Sequence, residues 1–426
     1  MGEYAVIIAT VLMLTLIFLK IPIFVSVLIA GLSYFVLNPG INITIAAQRI
    51  TSGVESTALL ACPFFILAGV LFNCTGVTER LVAFCALVTG RMHGGLAQAN
   101  ILLSTIMGGM SGSSSADAAM EAKILCPAME ESGLSKPFSA VITAFSSVIT
   151  QLIPPGIGMI LYGTLAGASI GQLFTWGLGV GVLMCASMIG FTEIIARKRG
   201  YQPYLKEKPS FREFAEVFRR SWPALLLPVI IIGSIRVGAV APFESGAVAV
   251  AYSLVLGIVW KELTLEKFIG ALRESASTIG ALMLIVATAN IYSWILTKEQ
   301  LPQRLATIML EYIDNKFVFL MLVNIFLIVV GMLMEGTAAS IILIPLLAPI
   351  AASYGINLVH FGMVVVFNMA IGGISPPIGL LMFIVCGVTE CKVKDFLKEA
   401  VPYLIYMIIL LLAITYVPFA FGFLYG

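Results

Sequence analysis

What most constrains this chain is how little charge separates one apolar run from the next. The segments near 4–19, 22–37, 57–74, 136–166, 170–195, 222–240, 244–260, 277–296, 357–388 and 401–422 are dominated by Leu, Ile, Val, Phe, Ala and Gly. Most of them approach the ~20 residues that carry a helix across a bilayer. Only 11% of the 426 residues are charged and 60% are hydrophobic, whereas a soluble domain is about one-quarter charged. In lipid every backbone N–H and C=O must find its partner inside the protein. A chain of this composition is therefore expected to be an all-α, multi-pass membrane protein.

Several function classes fall away on the same grounds. The net charge of +2, with no basic patch interleaved with aromatics, gives nucleic acid nothing to bind. Seven cysteines (Cys62, Cys74, Cys85, Cys126, Cys185, Cys386, Cys391) are scattered through apolar runs without a CxxC pair, so they read as small hydrophobes. The two histidines, His93 and His360, have no ligand-type neighbour in sequence. There is no HExxH, no paired-Asp motif and no Ser/His dyad within a span, so the chain does not read as an enzyme and calls for no organic cofactor. The N-terminal run lacks a Lys or Arg before its apolar core and reads as a first spanning helix rather than a signal peptide.

Charge sets the orientation. Residues 197–220 hold eight Lys/Arg against three Glu, which marks that stretch as cytoplasmic. Counting spans outward places Lys20 and 390–399 inside and both termini outside. Amphipathic stretches at 78–92, 261–275 and 299–315 are expected along the interface, with Lys298, Glu299 and Arg304 on a solvated face.

Two apolar blocks, 95–130 and 317–352, are interrupted at their centres by "MSGSSSAD" and "MEGTAAS". Two later blocks are interrupted by "IPPG" and "SPPI". Pairs of these features recur at nearly one spacing: Leu81 with Leu305 and Gly112 with Gly336 stand 224 apart, and Pro154 with Pro376 stands 222 apart. The parity of spans makes the two copies inverted. Inverted repeats with interrupted helices near mid-membrane mark secondary transporters, with the site at the repeat interface. The physical reason lies in the breaks. Gly permits sharp turns and Pro lacks an N–H, so each break frees backbone amides and carbonyls, and these persist in a membrane only where protein, water or a ligand fills them. Carbonyl oxygens suit a small hard cation, and amides at a helix N-terminus suit an anion. Among charged residues, Asp117 is expected to cap the helix after the serines, Glu335 to cap its helix or face the cavity, Glu244 to start a helix, and Glu121 and Lys123 to lie on the interfacial side of the hairpin.

The stretches "ACPFFILAGVLFNCTGVTERL", "GGLAQANILLSTIMGGMSGSSSADAA", "SSVITQLIPPGIGMILYG" and "NMAIGGISPPIGLLMF" resemble the large membrane subunit of tripartite ATP-independent periplasmic (TRAP) transporters along nearly the whole chain. That resemblance implies a bacterial inner-membrane, Na+-coupled importer of organic acid anions. It implies a periplasmic solute-binding protein and a small four-helix membrane subunit as partners, and a scaffold with an elevator-type transport domain. The corresponding division is scaffold 1–56; first repeat 57–196, with hairpin 95–130 and broken helix 136–166; basic loop 197–221; scaffold 222–276; and second repeat 277–426, with hairpin 317–352 and broken helix 357–388. Carried over residue by residue, one Na+ site uses Ser111, Ser113, Thr150, Ile153 and Pro155, and a second uses Gly336, Thr337, Gly372, Ser375 and Pro377. The solute carboxylate is expected near Ser114, Ser115, Asp117, Gly336 and Thr337. "TQLIPPG" departs from the relatives' common "GPIIPPS", which puts any side-chain role at position 156 in doubt and inclines the reading toward the sialic-acid branch over C4-dicarboxylates. The alternative is a proton-coupled carboxylate carrier that works without a binding protein.

Overall fold

The computed structural model describes residues 2–237, 240–377 and 379–421, and its described residues form helices without a strand. The N-terminal elements are α1 (Gly2–Phe18), α2 (Ile23–Leu37), α3 (Thr44–Val54), α4 (Ala61–Cys74) and α5 (Val77–Thr89). The first hairpin follows as α6 (Gly95–Ser111) and α7 (Ser114–Glu131). A broken span comes next, as α8 (Lys136–Ser146), α9 (Ile149–Leu152) and α10 (Ile157–Ala166), and α11 (Ile170–Lys198) closes the first half. The middle of the chain is α12 (Phe211–Arg236), α13 (Pro242–Val259), α14 (Leu265–Lys298) and α15 (Leu301–Tyr312). The second half repeats the pattern with the hairpin α16 (Lys316–Leu333) and α17 (Gly336–Ser353), the broken span α18 (Leu358–Ile374) and α19 (Leu380–Thr389), and α20 (Val393–Phe421).

By length and composition α11, α12, α14, α16, α17 and α20 can each cross a bilayer. Two further spans are bent, α4 against α5 by 73° and α8–α9 against α10 by 42°. Gly76, at φ +72°, makes the first of these bends, a left-handed geometry that glycine adopts without a Cβ clash. The apolar surface left exposed, for instance Ile7, Ile8, Val11 and Leu14 on α1, is what a lipid-facing helix presents.

The repeat is clearest in the caps. Helices α7 and α17 begin 222 residues apart, at Ser114 and Gly336, after extended N-caps Ser113 and Glu335. Ser135 and Asn357 cap α8 and α18 at the same spacing, and both Pro-Pro peptides, 154–155 and 376–377, are cis. Left-handed C-caps close α10 at Gly167 and α19 at Glu390. This register corrects the sequence alignment at the hairpins: Gly112 corresponds to Met334, and Gly336 to Ser114.

The helices pack as two groups. In one, α4 lies against α13 and α14, and α14 against α2 and α3. In the other, the hairpins and broken spans pack with α11 and α20. Helices α5 and α15 run between them, α5 against α6 and α12, and α15 against α17. Two expectations are corrected. Residues 265–298 form one continuous helix rather than an interfacial piece and a separate span, because no proline or cap interrupts them. The basic stretch 197–221 is helical from Phe211, where Ser210 and Glu213 form a capping box.

Candidate substrate and ion site

The hairpin tips are built by opposite capping chemistry. At the first, Gly112 sits at φ +60° and turns the chain out of α6. Extended Ser113 then opens α7, its hydroxyl accepting from the Ala116 N–H at a long 3.4 Å. At the second, Glu335 caps α17 with its carboxylate, Oε1 accepting from Thr337 N–H at 2.9 Å and Oε2 from Ala338 N–H at 2.8 Å. The second helix thus fills its own N-terminal amides with an internal anion, and the first covers its amides with a hydroxyl only.

Each tip, or the helix leading to it, is pressed against a break in its own repeat. The Ile157 N–H donates to the Gly112 carbonyl at 3.4 Å, and a Cβ on Gly112 would stand 2.4 Å from the Pro155 oxygen. A Cβ on Gly108 would meet Ile153 Cβ and Thr150 Cα, both at 2.9 Å. In the second half Gly372 and Gly331 face each other, a Cβ on Gly372 falling 2.5 Å from Gly331 Cα. Gly336 lies against Met369, and Ser375 is extended with its hydroxyl donating to Ile371 O at 2.8 Å. These approaches are possible only without side chains, as small residues allow in membrane packing.

Behind the first tip lies a buried polar cluster. Asp117 is 1% exposed, and its Oδ2 accepts from Ser111 Oγ at 2.8 Å and Thr150 Oγ1 at 3.0 Å. Asp117 therefore does not cap α7, as the sequence suggested; Ser113 does, and Asp117 ties the hairpin to the broken span. Glu121 is another correction. It is fully buried and bound to Ser104 rather than interfacial. Lys298 and Arg304 are exposed, as expected of a solvated face, with Lys298 5.3 Å over the Trp294 ring, whereas Glu299 is half-buried and accepts from the Tyr34 hydroxyl. The expectation for Glu244 agrees with its place in the first turn of α13, where it accepts from the Ala241 N–H at 2.7 Å.

Between the two tips is a hollow open to solvent, with room for the centres of water-sized molecules over about 80 Å³. Gly112, Ser113, Ser114, Ser115 and Gln151 line it from the first repeat, and Glu335, Gly336, Thr337 and Ser340 from the second. Of the residues expected to meet the solute, Ser114, Ser115, Gly336 and Thr337 reach this hollow, while Asp117 stands behind it. The residues expected to hold cations gather in two groups beside it. In the first repeat Ser111 and Thr150 share Asp117 Oδ2, Gly108 stands against Thr150 and Ile153, and Gly112 against Pro155; in the second, Gly336 stands against Met369 and Gly372 against Gly331, with Ser375 at the end of α18. No group of three His, Cys, Asp or Glu side chains converges among the described residues, so a cation at either tip would rest mainly on hydroxyl and backbone oxygens. Sequence reasoning missed Gln151 as a lining residue. Its Nε2 donates to Ser114 Oγ at 2.7 Å, and the only hint was a polar residue three positions before a proline pair.

The fold and the sequence have known counterparts. The chain covers 89% of its length on the Alcanivorax borkumensis YdaH transporter with a TM-score of 0.64 at 15% identity, matching 88% of that chain, a likeness of fold. It is 35% identical over 95% of its length to the sialic acid TRAP transporter large permease protein SiaM of Vibrio cholerae, covering 95% of that protein. It is 32% identical over 96% of both chains to the C4-dicarboxylate TRAP transporter large permease protein DctM of Rhodobacter capsulatus. Residues 10–420 match the family model of the tripartite ATP-independent periplasmic transporter DctM component. The chain therefore belongs to the DctM family of TRAP transporter large permease proteins, a family of carriers and not of enzymes.

Proposed function

We propose that the protein imports an organic acid anion across the bacterial inner membrane, driven by Na+. In this reading the anion is handed over by a periplasmic binding protein, a small four-helix membrane subunit completes the permease, and the hairpins and broken spans move past the scaffold as an elevator. The observation that carries the reading is the pair of helix N-termini facing one hollow, only one of which is already occupied by a carboxylate. The N–H groups of Ser114 and Ser115 precede the intrahelical ladder of α7, and the positive end of that helix favours an anion there. Glu335 repels a second carboxylate from the opposite tip and offers acceptors to hydroxyl or amine groups farther along the solute. A polyhydroxylated acid with one carboxylate fits this polarity, in line with relatives named for sialic acid and 2,3-diketo-L-gulonate.

Sodium ions on the two oxygen groups would place positive charge beside the solute carboxylate, so ion and solute bind better together than apart, as linkage requires. Empty, the same oxygens are costly to carry through lipid, which ties movement to occupancy. The test is uptake by the complete transporter in proteoliposomes, with the binding protein and its solute added outside. An inward Na+ gradient should drive accumulation that collapses when choline replaces Na+. Equal uptake under a proton gradient without Na+ would overturn the proposal.

A further inference from the structure

The carboxyl of Glu121, one helical turn beyond Asp117 on α7, has no role in the site described above. It is 0% exposed, and its hydrogen-bond partner is the equally buried Ser104 of α6. Ser104 Oγ stands 2.9 Å from Glu121 Oε1, 2.7 Å from Oε2 and 3.1 Å from the Asn100 carbonyl oxygen. A serine hydroxyl carries one hydrogen. If Glu121 were ionised, that hydrogen would have to serve three acceptors, one of them a buried charge. If Glu121 is the neutral acid, its own O–H donates to Ser104 Oγ, the serine hydrogen passes to Asn100 O, and every donor is used.

The surroundings favour the neutral form too. On its own helix Glu121 shares a face with Asp117, four residues back, and α7 packs against α6, α8, α9 and α19. Helices α6 and α9 hold no charged residue, α19 contributes only the thiol of Cys386, and the lone charge on α8, Lys136, pairs with Glu130 at 3.8 Å. Lys123 points to the exposed side of α7. Among the described residues, then, no cation approaches Glu121, and its near charged neighbour is Asp117, four residues back on the same helix face, a repulsive spacing for two carboxylates. Asp117 has the better claim to the negative charge, with the Ser111 hydroxyl, a share of the Thr150 hydrogen and a place in the first turn of α7.

We propose that Glu121 is a proton-binding site inside the first hairpin, held as the neutral acid and donating to Ser104, and that it acts as a positioning residue for the cluster that ends at the tip. The path is short: the Thr150 hydroxyl stands 3.2 Å from the Ser104 carbonyl oxygen and 3.0 Å from Asp117 Oδ2, its one hydrogen shared between the two acceptors. The assignment holds whatever solute or ion the carrier moves.

Difference infrared spectroscopy on the purified permease tests it without a transport assay. A protonated-carboxyl C=O band should be present at neutral pH, vanish in Glu121→Gln and persist in Asp117→Asn. Uptake by the complete transporter adds a rescue readout. Glutamine keeps a donor for Ser104 at the same volume and should stay within about twofold of the parent, while Glu121→Ala, which removes the donor to Ser104 Oγ and leaves a buried void beside it, should lose about tenfold or more. A missing band at neutral pH, or a glutamine variant as damaged as the alanine one, would overturn the assignment.

Discussion

Gly112 shows at the scale of one residue what the site demands. Its φ of +60° and the 2.4 Å that would separate a Cβ from the Pro155 oxygen both exclude a side chain. A Gly112→Ala variant should lose about 1–2 kcal/mol to the left-handed geometry, and more to the displaced Pro-Pro break. Thermal unfolding of the purified protein should register the loss, and an unchanged midpoint would mean the tip has room to shift. Other residues were less legible in the sequence. Asp117 sits where a capping acid is common, but the N-cap is Ser113, because the turn ends one residue after Gly112. Glu121 gives no sign in the sequence of being buried, since a charged side chain in an apolar run is expected toward the interface. Ser104, the partner that buries it, is 17 residues away in sequence and adjacent only once the hairpin folds.

At the scale of elements, the interruptions were readable because Gly, Ser and Pro act through the backbone itself. The hairpins and broken spans appear where "MSGSSSAD", "MEGTAAS" and the two Pro-Pro pairs punctuate apolar runs. The continuous α14 was not readable, since its charged first half and apolar second half differ in composition while nothing breaks the helix between them. Nor did the sequence reveal how the segment after α11 is fastened. Arg199, after α11, pairs with Glu399 on α20 at 2.6 Å and lies 5.3 Å over the Phe138 ring of α8. Tyr201 bonds Ser135 Oγ at 3.1 Å and packs 5.1 Å from the same ring. This clasp ties the segment after α11 to the start of α8 and to α20. Because the arginine is partly exposed, Arg199→Ala should destabilise the protein by only about 1 kcal/mol. Arg199→Lys should recover part of that, since an ammonium keeps the charge but not the flat stacking surface. A lysine variant as stable as the parent in thermal unfolding would reduce the clasp to simple charge.

Taken as a whole molecule, the chain gathers hydroxyls, one glutamine and one glutamate at the hollow between the tips and leaves apolar side chains on its outer faces. The inverted arrangement brings the N-terminus of α7 and the N-terminus of α17 to the same space from two repeats. The two ends differ where function needs them to: one closed by its own glutamate, one left open by serines. The central claim is that this open end receives the solute carboxylate, with cations on the oxygens of the adjoining breaks. An electron cryo-microscopy map of the complete transporter with Na+ and bound solute tests it most directly. The account predicts solute density between the tips, with its carboxylate on the Ser114 and Ser115 amides and compact cation density beside the Thr150–Pro155 and Gly372–Pro377 breaks. Solute held elsewhere, with the hollow between the tips closed by protein, would contradict it.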